Sequence, residues 1–537
     1  MKSRRDSKAL MPKTQRIRPM WVLWIPSLCV VISMGLPLIY LFARSIDAGS
    51  EFWDIILRRR TLSILFRSIS LVTAVTITSA LIAVPMAWLT TRTDLPYRKL
   101  WGIVAPLPLV IPSYIGAFLI VIALGPRGLL QDGLGILFGV EKIPSIYGFT
   151  GAWITLSLLS YPYIFLPVRA ALSRMDRSIE EASHNLGQGS WSTFKNITLP
   201  LLKPSITSGG ILVALYTLTD FGAVSILHYE TFTWAVYIQF ESMIDRSMAS
   251  ILSLILVLCA IFILLPTTLY SNKGKLYRND PGTPTRPPPI PLGQWRFTAT
   301  LFCILVIFFS LIVPMSVLTY WLIRGFEFFP SLTNVLTATW NTFSIATIAS
   351  IMALLSSIPI AILAVRYPNS WIKLVERWTY MGFALPGIVI ALTLVFFGSQ
   401  FATPLYQTKT LLIFAYLILF IPGSLGSLQS SLEQINPRLE EAARSLGSSG
   451  LKVFLSITVP LLKPGIMSGL ALVFLLTSKE LPATLILAPI GFNTLATSIW
   501  SNASEAFFAE TAAYSLVLIL LSSLPMIFLI SKEHKVK

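Results

Sequence analysis

Three ionisable side chains stand where such groups are rare. Asp220, Lys479 and Glu480 each interrupt a stretch otherwise apolar enough for hydrocarbon. A charge at membrane depth is costly and normally faces a bundle interior or a water-filled path. Two readings stand. Asp220 and Glu480 line a path for a charged solute, offering the carboxylate oxygens that suit a hard metal ion; or they stabilise packing between helices while Lys479 pairs locally or snorkels outward. Two carboxylates are too few for a metal site of high affinity. Catalysis has less to draw on. His184, His228 and His534 are scattered, and Cys29, Cys259 and Cys303 each fall within an apolar run, where cysteine behaves as a small hydrophobe. No Gly-x4-Gly-Lys-Ser/Thr phosphate loop occurs. No catalytic residue is expected, and no cofactor on this chain.

These charges need a membrane to hold them. Of the 537 residues 54% are hydrophobic and 12% charged, against about 25% charged in an average soluble protein. Apolar runs long enough to cross a bilayer recur along the chain. They predict about 12 transmembrane helices, near 20–43, 62–89, 100–124, 148–170, 205–228, 247–270, 297–323, 340–365, 378–400, 410–431, 465–488 and 511–530. The fold class is therefore all-α membrane protein. The N-terminal run from Met20 to Ala43 is too long for a signal peptide core and reads as the first span.

Charge sets the orientation. The net charge of +17 is not one basic face for nucleic acid, because thirty of the 41 Lys and Arg residues fall in alternate loops and at the two termini. The positive-inside rule places these segments, and so both termini, in the cytoplasm. Arg58-Arg59-Arg60 is a local exception on the outer side. Between spans six and seven, residues 271–296 carry Asp280-Pro281-Gly282 and Pro287-Pro288-Pro289. Such a stretch is an extended connector, and it divides the chain into halves 1–270 and 297–537.

The halves repeat. Residues Glu180–Gly210 (EEASHNLGQGSWSTFKNITLPLLKPSITSGG) and Glu440–Leu470 (EEAARSLGSSGLKVFLSITVPLLKPGIMSGL) agree at 16 of 31 positions, at a constant offset of 260 without a gap. Leu107–Pro112 pairs with Met381–Pro386 at an offset of 274, so the first half carries extra residues in the outer loop between Gly125 and Tyr147. Six spans per half make the repeats parallel, about an axis along the membrane normal. Both loops, near 176–204 and 436–464, are then cytoplasmic. Ser178 and Glu181 form a capping box opening a helix at Ile179; Asn436-Pro437 supplies an N-cap and a first-turn proline. Gly187 and Gly447 suit a left-handed helix end. A second short segment carries Phe194 and Ile197, matched by Phe454 and Ile457; Pro200 and Pro204, matched by Pro460 and Pro464, are expected to end it and turn the chain into the next span.

The pattern Glu-Ala-Ala-x3-Gly-x9-Ile-x-Leu-Pro resembles the signature loop of permease subunits of bacterial ABC importers. It stands here as Glu181-Ala182-Ser183, Gly187, Ile197, Leu199-Pro200 and as Glu441-Ala442-Ala443, Gly447, Ile457, Val459-Pro460, with Ser183 and Val459 as small departures. The flanking Thr219-Asp220-Phe221-Gly222-Ala223 and Lys479-Glu480-Leu481-Pro482-Ala483-Thr484 look like the fused, double-length permeases of ferric iron importers, and the similarity covers essentially the whole chain. The resemblance implies the type I importer permease fold in the bacterial cytoplasmic membrane. It implies two separate ATPase subunits carrying ATP and Mg, and an external substrate-binding protein. Glu180, Glu181, Ala182, Gly187 and Pro200, with Glu440, Glu441, Ala442, Gly447 and Pro460, would then form the two ATPase-docking loops. Glu181 and Glu441 would meet a basic residue of the ATPase, unless they merely favour their own helix N-termini.

Fused permeases for thiamine and for phosphonate or polyamine compounds share this architecture and are alternatives. A secondary transporter driven by an ion gradient is a further class, but it has no reason to carry two matched docking loops. A membrane enzyme would need a clustered site, which the scattered histidines do not provide.

Overall fold

The computed structural model describes residues 21–47, 51–126, 144–175, 185–241, 246–270, 289–325 and 331–535, with 128, 131, 135, 136, 138, 139, 180 and 183 between them. Ser178, Ile179, Glu181, Ala182, His184 and most of the Pro-rich connector lie outside them. Among the described residues ten helices are long and apolar enough to span a membrane, and two bent helix pairs bring the number to as many as twelve.

The bent pairs are the third and ninth spans, expected near 100–124 and 378–400. Arg98–Val110 and Ser113–Leu124 meet at 96°, and Ser370–Phe383 and Gly387–Gln400 at 102°. The cause is local. Pro112 and Pro386 have no N–H and push the residue before them out of the helical region; Ile111 (ψ 116) and Leu385 (ψ 116) are extended. Spans five and eleven also stop short of their expected ends, at Thr219 and Ser478.

Each half is built alike. Arg59–Arg92 packs against Pro162–Arg174 and Leu199–Thr219; its counterpart Leu332–Arg366 packs against Lys409–Glu433 and Val459–Ser478. Small residues permit the close approach, as is usual between membrane helices. A Cβ on Gly209 would stand 2.7 Å from the Ile164 backbone, and one on the equivalent Gly469 3.5 Å from that of Ser424. The connection after the third span of each half differs in length: Leu124 to Phe149 in the first half, Gln400 to Lys409 in the second.

The first span of each half crosses to the other. Trp21–Asp47 lies on Leu332–Arg366, Ser370–Tyr380 and Gly387–Gln400 as well as on Arg246–Tyr270 of its own half; the Trp378 indole donates to the Val31 carbonyl at 3.1 Å. Reciprocally, Cys303, Val306 and Ile307 are buried in the first half's core beside Tyr161 and Phe165. The connector's end is fastened there too. Ile290 exchanges backbone hydrogen bonds with Arg92 (2.9 Å) and Asp94 (3.1 Å), and the Asp94 carboxylate accepts the Leu292 N–H at 2.9 Å.

Candidate functional site: two repeated loops and two helix breaks

In the second loop Asn436 caps the helix Pro437–Ser445 by accepting the Arg438 N–H at 3.1 Å, and Pro437 occupies the first turn. The helix closes on Gly447, at φ +86, and Gly187 has φ +82. In each copy the next N–H returns to a carbonyl five residues back: Ser448 to Ala443 and Gln188 to Ser183, both at 3.1 Å. This closure needs a left-handed residue, which glycine supplies without a Cβ penalty.

The prolines behave differently from expectation. Pro200 and Pro460 sit in the first turn of helices that continue into the spans, Leu199–Thr219 and Val459–Ser478. Just before each is a π-helical turn, Phe194–Thr198 and Phe454–Thr458. Such a turn alters the hydrogen-bond ladder where proline contributes no donor, so the chain passes through rather than turning.

The two adjacent glutamates of the second loop part company. Glu440 is buried, accepting from the Arg366 guanidinium at 3.2 Å and from the Thr458 hydroxyl at 3.1 Å. Glu180 is buried likewise, 4.0 Å from Arg92 and 2.8 Å from the Thr198 hydroxyl. Glu441 and Ala442 are exposed. Beside them Leu446 is 88% exposed, and the equivalent Leu186 is 83% exposed. Sequence reasoning passed over these leucines, although each directly precedes the closing glycine in both copies. A leucine repeated at a capped helix end and left exposed is the signal of a covered surface.

The membrane charges gather at the helix breaks. Asp220 is buried and accepts the Ala223 N–H at 2.9 Å; Glu480 accepts the Ala483 N–H at 3.2 Å. Each carboxylate thus satisfies a donor that the start of a new helix leaves free. Each break also packs on the bent span of its own half: Gly222–Ile226 on Ser113–Leu124, and Pro482–Leu487 on Gly387–Gln400. A Cβ on Gly387 would fall 2.5 Å from the Glu480 carboxylate. The breaks face across the halves as well. Phe221 contacts Trp500, with ring centroids 5.2 Å apart, and the Lys479 ammonium donates to the Leu109 carbonyl. Asp220, Lys479 and Glu480 therefore lie where the halves meet, with both carboxylates holding backbone.

The family model for the binding-protein-dependent transport system inner membrane component matches residues 82–272 and again 357–531. The chain belongs to this family. It is an inner-membrane permease of fused, double length, and each matched stretch contains one copy of the repeated loop and one helix break. The permease is 33% identical over 517 residues to the Fe(3+)-transport system permease protein FbpB 2 of Haemophilus influenzae, covering 95% of this chain and 98% of that protein. It is 25% identical over 477 residues to the ferric transport system permease protein FbpB of Actinobacillus pleuropneumoniae, covering 84% and 68%. A shorter match, 34% over 137 residues, is to the molybdenum transport system permease protein ModB of Escherichia coli K12, covering 26% and 58%. The permease is accordingly a multi-pass transport subunit of a binding-protein-dependent system, built as two parallel repeats of about six helices.

Proposed function

We propose that this permease carries ferric iron inward by alternating access, driven by two separate ATPase subunits and supplied by an external binding protein. The carrying observation is the pair of cytoplasmic loops, each presenting an exposed leucine at a capped helix end, Leu186 and Leu446. Two like loops on one chain suit two like ATPase clefts, with ATP and Mg held by those subunits. Glu441, Ala442 and Gly447, and Glu181, Ala182 and Gly187 in the first copy, form the docking faces. Glu180, Glu440, Pro200 and Pro460 support them from within. Rigid-body motion of a capped helix is an effective way to pass a displacement on.

Ferric iron is favoured by the names of the full-length relatives and by the carboxylate character of the breaks. Asp220, Lys479 and Glu480 mark the translocation path, and the termini face the cytoplasm on the charge asymmetry of the loops. The test is reconstitution in vesicles with an ATPase and a binding protein. ATP-dependent uptake stimulated by the ferric-loaded binding protein is expected. Stimulation only by a thiamine- or phosphonate-loaded protein would overturn the substrate. Uptake by the permease alone on an ion gradient would overturn the importer reading.

A further inference from the structure

One arrangement occurs twice and is not needed to explain docking. Arg92 and Arg366 end the long second helices of their halves, Arg59–Arg92 and Leu332–Arg366. Arg366 donates to the Ile435 carbonyl at 3.2 Å, just ahead of the second loop, and to Glu440 inside it. Arg92 donates to the Met175 carbonyl at 3.3 Å, just ahead of the first loop, and stands against Glu180. Glutamate in turn receives the hydroxyl of Thr198 or Thr458 from the π-helical turn where each loop leaves. Four groups therefore join the loop's entry, its first helix and its exit to the end of a different span.

The two copies reach this arrangement from different registers. The arginines are 274 positions apart, whereas glutamates, threonines and carbonyl residues are 260 apart. In the first half the extra residues of the outer loop lie between the arginine and the rest, so continuity of the chain does not enforce the match. Stability alone explains it poorly. A buried ion pair gains little over well-packed apolar groups but fixes one geometry, and it is damaging when half-removed.

We propose that Arg92 and Arg366 are positioning residues that make each docking loop one rigid body with the cytoplasmic end of its half's second helix. A displacement imposed at the exposed leucine is then delivered to Arg59–Arg92 or Leu332–Arg366, instead of being absorbed where the loop enters and leaves. The inference rests on the reading that the loops dock an ATPase.

The test uses the full complex, reconstituted with ATPase and binding protein, and reads uptake per ATP hydrolysed beside ATPase co-purification. For Arg366→Met and Arg92→Met, uptake per ATP is expected to fall about tenfold, the scale of a typical coupling free energy, with the ATPase retained. The milder Thr458→Val should shift the ratio in the same direction. The conservative Arg366→Lys, which keeps a donor for the Ile435 carbonyl and for Glu440, should retain most of it. An unchanged ratio in the arginine variants would overturn the proposal. So would loss of the complex in both arginine variants, in Thr458→Val and in Arg366→Lys, because that marks a purely structural pair. The docking reading is tested separately by Glu441→Lys, which should weaken ATPase binding; if it does not while Arg366→Met still uncouples, docking through Glu441 fails and the arginine link stands.

Discussion

The Lys479 ammonium, from the second half, donates to the Leu109 carbonyl of the first half at 2.9 Å. Leu109 lies in the 3-10 turn Leu107–Val110, next to the bend at Pro112, where carbonyls lack helical partners. The repeat does not reproduce this tie, since Thr219 and Phe383 occupy the corresponding positions. It is one asymmetric bond across a nearly symmetric junction. Replacing Lys479 with Met strips this part-buried carbonyl of its donor. The expected cost is about 1–3 kcal/mol, read as a lower thermal midpoint of the purified permease, with Lys479→Arg close to the parent. A midpoint unchanged in Lys479→Met would remove any structural weight from the bond.

Asp220 and Glu480 allow charge to be separated from geometry. In Asp220→Asn with Glu480→Gln, the amide oxygens can still accept the Ala223 and Ala483 N–H groups, so the short helices keep their starts. Uptake is expected to fall by about tenfold or more, as for removal of an intramembrane charge that a solute meets, while the ATPase and binding protein still associate. Normal uptake by the double variant would sink the translocation role.

Leu186 and Leu446 test docking through apolar burial alone. Covering one leucine side chain is worth roughly 1.5–3 kcal/mol. Leu446→Ser is expected to weaken ATPase association about tenfold or more by that scale, and Leu186→Ser together with Leu446→Ser to weaken it further. Titration of labelled ATPase onto nanodisc-held permease measures this. Equal affinity would mean that these leucines stay uncovered in the complex.

Gly447 separates backbone strain from crowding. At φ +86 it has nothing within 4 Å of where a Cβ would stand. Any penalty for Gly447→Val is therefore conformational, at about 1–2 kcal/mol or more for a β-branched residue. Asn, which tolerates the left-handed region, should be milder. Limited trypsin cleavage at the exposed Arg444 and Lys452 reads the loosening of the loop, with Val cleaved faster than Asn and Asn faster than Gly. Equal rates would show that the cap does not order the loop.

Much of the architecture was legible because hydropathy, loop charge and an ungapped repeat report on long stretches at once. The bends at Pro112 and Pro386 were not, since an apolar window averages over a right-angle turn as easily as over a straight helix. The inward turn of Glu180 and Glu440 was hidden for another reason. Their arginine partners come from another span at another offset, and two adjacent glutamates look alike until one is buried. Leu186 and Leu446 were in plain view, but a leucine near a membrane span carries no mark of exposure. The crossing of the first spans left no trace in the sequence, because lipid-facing and helix-facing surfaces are both apolar.

That crossing sets an order of events during synthesis. Trp21–Asp47 emerges before the helices it rests on beyond its own half, Leu332–Arg366 and Gly387–Gln400, which are made after the connector. The first half, for its part, receives Cys303 and Ile307 only once the seventh span has been inserted. The first half therefore stays open on one flank until the second arrives. Tethering the two on a single polypeptide keeps the missing helix at high local concentration during that wait.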